Sequence, residues 1–178
     1  MKIRFALLAA LLLMTACAIS AQTAQTAAKP DPWAALRFLV GSWEAKTTGG
    51  VAQAQASAGY AFRLELRDHV LARHSRSSGC RAPDDFDCQH GDMLYIYPTS
   101  NGQAFQAIYF DNEGHVIHYD VSTPKLNSAV FLSDPAQPGA QYRLSYELVE
   151  GVMTGKFELK MPGQPDFSSY LEWSGKRQ

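Results

Sequence analysis

The sequence predicts an all-β protein, an antiparallel sheet of about ten strands after an export signal and a short helix. Three observations predict it. Apolar and polar residues alternate with period two from residue 42 almost to the C-terminus. Turn residues punctuate that pattern at short, regular intervals. No strand-like segment is followed by a long helical one, which argues against a parallel α/β sheet. Strands with one apolar and one charged face bury one side only. A flat sheet of about ten would leave that face wet and its edges unpaired, and closure removes both problems. A sandwich would also do so, and periodicity alone does not separate the two.

Residues 1–21 read as a signal peptide. Lys2 and Arg4 precede a continuous apolar run from Phe5 to Met14, then come small residues. The run is too short to span a bilayer. Cleavage after Ala21, in Ala18-Ile19-Ser20-Ala21, competes with cleavage before Cys17, because Met14-Thr15-Ala16-Cys17 resembles a bacterial lipobox. The first cut gives a periplasmic or secreted protein. The second gives an envelope lipoprotein, anchored to the membrane through a lipid on Cys17. Residues 22–31, rich in Ala, Thr and Gln, form a flexible linker. The barrel domain is expected over 32–178.

Asp31 can cap a short helix with Pro32 at its first position. Trp33, Leu36 and Val40 fall at helical spacing, and Gly41 ends the helix as a residue able to adopt a left-handed backbone. The first strand, 42–48, puts Trp43, Ala45 and Thr47 on one face. An Ala/Gln-rich loop follows. Tyr60, Phe62, Leu64 and Leu66 then alternate with charged or small residues, and Arg67-Asp68-His69 turns the chain into a strand over 70–77.

Further strands are read over 93–97, 103–110, 115–122 and 128–132. Turns at Ser100-Asn101-Gly102 and Asp111-Asn112-Glu113-Gly114 and a break at Pro124 separate them. Tyr142, Leu144, Tyr146 and Leu148 share one face, and so do Met153, Gly155, Phe157 and Leu159 across a Glu150-Gly151 hairpin. Phe167, Ser169, Leu171 and Trp173 are placed together on the last strand.

The formal net charge is −1, with no basic stripe, so a nucleic-acid partner is not expected. Export implies an oxidising compartment. Cys80 and Cys88 flank a polar loop and are expected to form a disulfide. Only His90 lies near them, too few ligands for a tetrahedral metal centre. His115 and His118 are three apart on a strand and point to opposite faces. Asp84, Asp85, Asp87 and Asp92 lack the regular spacing and closing glutamate of an EF-hand. No nucleophile elbow, phosphate loop or zinc-protease motif occurs. Arg63, Arg73 and Arg76 are the polar groups an enzymatic barrel could use, although parity puts Arg63 outside. No catalytic set, metal or cofactor is therefore assigned.

Phe38-Leu39-Val40-Gly41-Ser42-Trp43-Glu44 resembles the start of calycin-type barrels, in which a short helix precedes a Gly-x-Trp on the first strand. Residues 108–116 are similar to a hairpin of lipocalin-like bacterial domains. The resemblance implies a closed barrel with Trp43 as the plug of one end, packed under Lys176 or Arg177. The further lipocalin blocks and the long C-terminal helix are missing. The likeness is therefore to the fatty-acid-binding or nitrobindin-like side of that superfamily.

Tyr60, Phe62, Tyr119, Tyr142 and Tyr146, joined by Tyr95 and Tyr109, are expected on the inner wall. Tyrosines bring an apolar body and a hydroxyl that needs a partner. Such a wall suits a small hydrophobic or amphipathic ligand. Two other function classes stand beside this one: a lipid-anchored structural or interaction protein without ligand, and an enzyme using the barrel as a reaction chamber.

Overall fold

A computed structural model describes residues 30–84, 86–100, 102, 104–135 and 139–178. The expected signal peptide, Cys17 and most of the linker lie outside the described residues. Asp31–Gln178 form one compact unit. It contains a 3-10 helix (Ala34–Leu39) and ten strands: β1 (Gly41–Gly49), β2 (Gln55–Glu65), β3 (Val70–Arg81), β4 (Gly91–Pro98), β5 (Phe105–Asp111), β6 (Val116–Ser122), β7 (Ser128–Ser133), β8 (Gln141–Val149), β9 (Val152–Lys160) and β10 (Ser168–Arg177). Every strand pairs antiparallel with its sequence neighbours, and β1 pairs with β10, so the sheet is a closed barrel. Closure settles the choice between barrel and sandwich, and it leaves no free edge. The architecture fits a calycin-like fold.

The helix closes one end. Trp33, Leu36 and Leu39 recur every third residue, the period of a 3-10 helix, and all three are buried. Val40, expected at the end of an α-helical stripe, is only half-buried. Asp31 holds the start: its carboxylate accepts the Trp33 backbone N–H at 3.0 Å and pairs with Arg37 at 2.6 Å. Both indoles of this end find a carbonyl. Trp33 Nε1 donates to Asp68 O at 2.7 Å, tying the helix to the β2–β3 turn, and Trp43 Nε1 donates to Leu39 O at 2.9 Å. Trp33 also stacks on Phe105, with ring centroids 5.1 Å apart. Gly41 is required twice. Its φ is +138°, and a Cβ there would press on the Arg177 guanidinium.

Four further sequence expectations, at the ends of strands β2 and β10, need correction. The Ala/Gln-rich stretch is not all loop: β2 begins at Gln55, and Ala56 and Ala58 continue its inward face. Leu66 leaves the inner face. Leu66, Arg67 and Asp68 all have left-handed backbones, so the turn starts one residue early and exposes Leu66. On β10 the register shifts between Ser169 and Leu171. This bulge turns Ser169 outward, where its hydroxyl donates to Glu172, while Leu171 and Trp173 stay inside. Phe167 likewise lies outside, under the guanidinium of Arg143.

The Glu150-Gly151 hairpin is as expected. Both residues have positive φ, as a two-residue turn matched to strand twist requires.

Candidate functional site: a cavity with one polar and one apolar wall

The end of the barrel opposite the helix is formed by the β1–β2, β3–β4, β5–β6, β7–β8 and β9–β10 connections. Beneath it lies a cavity of about 390 Å³. Small residues make the room: Ala45 on β1, and Ala56 and Ala58 on β2, face it where larger side chains would fill the lumen. Gly155 on β9 has a related role. A Cβ there would run into the indole of Trp173, so the glycine lets that ring lie flat against the wall.

The lining is divided by strand. From β8, β9 and β10 come Tyr142, Leu144, Phe157, Leu159, Leu171 and Trp173. Tyr142 and Phe157 stack at 5.8 Å, a rigid aromatic panel. Across the barrel, β3, β4 and β5 with their loops supply Arg73, His90, Asp92, Tyr109 and Asp111. In the strand order, β4 is diametrically opposite β9.

These polar residues form one connected chain. Arg73, 5% exposed, donates through Nη1 to the Tyr146 hydroxyl and through Nη2 to Asp92 Oδ1. Asp92 Oδ2 lies 3.4 Å from His90 Nε2, and His90 Nδ1 lies 2.9 Å from Glu113 Oε1. Tyr109 Oη sits 3.2 Å from His90 Nε2 and donates to Asp111 Oδ2 at 3.2 Å. Asp111 also accepts from His115, at 2.8 Å, at the rim. The chain thus runs from the mouth, through His90 and Asp92, to Tyr146 deep inside.

Its electrostatics follow from the pairing. Asp92 is buried, which alone would raise its pKa, but the Arg73 charge and the His90 bond outweigh burial and hold it below the ordinary carboxylate range. His90, bonded to Asp92 and then Glu113, has its pKa pushed up to about 9 against the opposing effect of burial. It is therefore an imidazolium at neutral pH, with both nitrogens donating. Burial raises the phenols of Tyr60, Tyr109, Tyr119 and Tyr146, so these rings stay neutral hydrogen-bonding groups.

Asp87, His90 and Glu113 could approach a cation together, each offering one atom within 4.8 Å of the others. Every donor already has a partner, though. Asp87 takes the Gln89 N–H and the Asn112 amide, and Glu113 takes His90. The cluster is a closed hydrogen-bonded rim.

The structure brings Tyr60, Tyr109, Tyr119, Tyr142 and Tyr146 together around the cavity. Phe62 is fully buried among them but packs below the open volume, edge-on to Tyr146 at 5.5 Å. Tyr95 is a correction. It lies on the outer face with Met93, against His74 and Phe110, because Leu94 and Ile96 take the inward positions of β4. Cys80 and Cys88 are disulfide-bonded, with Cα atoms 5.3 Å apart. The bridge pinches the β3–β4 loop, which carries Phe86 and Asp87 into the cavity lining.

Sequence reasoning gave the polar wall no role as a unit. Arg73 is in phase with buried Leu71, and that parity is the one signal that could have turned it inward. Compared with known proteins, the chain matches no family model and no curated relative.

Proposed function

We propose that this chain is an exported binding protein that holds a small hydrophobic or amphipathic molecule inside the barrel. The observation that carries the reading is the divided cavity: about 390 Å³ with an aromatic and aliphatic wall on β8–β10 facing a hydrogen-bonded, charged wall on β3–β5. A volume of this size lies within the range of small-molecule sites, and such sites combine an apolar body with a few fixed polar groups. Barrels near this strand number enclose ligands rather than channels. The 3-10 helix blocks one end, so the ligand enters at the rim of Asp87, Glu113 and His115. The Gly41-Ser42-Trp43 start and the Arg177 side chain over Trp43 support a likeness to fatty-acid-binding or nitrobindin-like barrels. Export rests on the N-terminal charged and apolar segment.

Native mass spectrometry of protein purified from the cell envelope tests this reading. A bound species removed by organic extraction, or 1:1 uptake of an apolar probe afterwards, is the expected result. A clean apo mass with no uptake of any apolar or amphipathic probe contradicts it.

A further inference from the structure

The outer wall of the barrel is charged on one side and apolar on the other. On β2, β9 and β10 the outward positions carry both signs, as with Arg63 and Glu65, Lys156 and Glu158, Glu172 and Lys176. On the four adjacent strands β4–β7 they hold one Asp, Glu, Lys or Arg side chain among the described residues, Asp120. Register makes the rest a continuous face. Met93 of β4 lies beside Phe110 of β5, which lies beside Val116 of β6. Tyr95 lies beside Ile108, and its ring meets Phe110 edge-on with centroids 6.5 Å apart. Leu132 of β7 continues the face beyond Asp120. Met93, Val116 and Leu132 are exposed. A sheet face that meets only water is normally polar, so this face departs from the usual alternation.

Its size and its one charge restrict what covers it. Four strands about 4.8 Å apart, with three outward residues about 6.8 Å apart along each, give a footprint of about 400 Å². A patch of that size on a monomer is usually functional. Two such faces together bury about 800 Å² before their borders are counted, the low end for specific interfaces and enough for a reversible dimer. Asp120 lies directly across from Gln106, whose amide Nε2 donates to its carboxylate at 3.3 Å. A two-fold axis running between β5 and β6, along the strands, sets Gln106 of one copy over Asp120 of the other. The second N–H of each amide then reaches the carboxylate of the other copy, so no charge is buried without a partner. A bilayer is a poorer fit, because interfacial surfaces rely on Lys and Arg and this face carries a carboxylate.

We infer that the outer face of β4–β7 is the contact surface for a second copy of this chain, in an isologous dimer centred on Gln106 and Asp120. The contact lies outside the lumen and does not depend on what the cavity holds.

Sedimentation equilibrium of the purified chain, from about 10 µM to about 1 mM, is the test, and a reversible monomer–dimer equilibrium is the expected result. Val116 is 51% exposed, so Val116→Lys should leave the circular dichroism spectrum unchanged and weaken association by about tenfold or more. Met93→Lys provides the same reading if Val116→Lys does not fold. Copies carrying Gln106→Cys should cross-link through a short bismaleimide to copies carrying Asp120→Cys, and copies carrying Arg63→Cys, on the charged side, should not. A monomer throughout the concentration range overturns the inference. So does a dimer untouched by the folded lysine variants, or one that cross-links equally through Arg63→Cys. A monomer that floats with phosphatidylcholine vesicles also overturns it, because lipid would then be what covers the face.

Discussion

The guanidinium of Arg177, on the last strand, lies 4.6 Å from the centre of the Trp43 ring on the first. Its nitrogens reach past that ring to Val40 O at 2.6 Å and Phe38 O at 3.3 Å. One side chain therefore covers the plug, satisfies the carbonyls at the C-terminal end of the 3-10 helix and joins the strands that close the barrel. Trp43 is 1% exposed, so Trp43→Ala should lower stability by ~3–5 kcal/mol, as large buried aromatics do. Arg177→Met should cost about 1 kcal/mol, because the arginine is exposed and its contribution is screened. Urea denaturation measures both. An unmoved midpoint in Trp43→Ala contradicts its role as plug.

The Arg73–Asp92 pair is almost wholly shielded, with side-chain exposures of 6% and 7%. Removing one member leaves an uncompensated buried charge. Asp92→Ala should therefore destabilise by ~3–5 kcal/mol. Replacing both, Arg73→Met with Asp92→Leu, should recover much of that loss, since the desolvation of two ions is relieved together. A double variant less stable than Asp92→Ala alone would show that the pair is net stabilising in place.

Stability should fall on both sides of a plateau in pH. His90 has a folded pKa of about 9 against an ordinary 6.5. Its contribution is complete below 6.5 and is lost as pH rises through about 9. Asp92 works in the other direction. Its lowered pKa stabilises the fold above the ordinary 3.8, and that contribution is lost as pH falls through the folded value. The melting temperature should therefore decline from pH 6.5 to 9, and His90→Gln should flatten this limb. An equal slope in the two proteins removes His90 from the account.

The Cys80–Cys88 bridge closes a short loop. Chain entropy assigns it ~2.5 kcal/mol, and Cys80→Ser with Cys88→Ser should lose about that much. Because Phe86 and Asp87 sit inside the loop, the variant should also change the exchange rate of a bound probe. The check is thermal melting together with stopped-flow release. An unchanged release rate would separate the loop from the mouth.

The sequence carried the fold further than it carried the site, for reasons that particular residues make plain. β8 and β9 alternate large apolar with charged residues, so their faces are unambiguous. In Met93-Leu94-Tyr95-Ile96-Tyr97 both faces are apolar, and alternation cannot say which tyrosines point inward. Tyr95 therefore reads as inward from the sequence although it lies on the outer face. Ala56 and Ala58 are too small to register as a strand face, yet their smallness opens the cavity. The β10 bulge shifts parity by one residue with no glycine or proline to announce it. The polar wall was hidden by a general rule: charged residues usually face water, so Asp92 reads as part of a solvated acidic loop, and Arg73, a candidate inward group, has no visible partner until the pairing of β3 and β4 is known.

The central claim, that the barrel holds a ligand between its two walls, is most directly tested by fluorescence titration of an apolar probe into the wild-type protein and into Ala58→Trp, which fills the lumen. The account predicts saturable 1:1 binding to the wild type, lost in Ala58→Trp while the protein stays folded. Equal binding to both proteins, or none to the wild type, would contradict it.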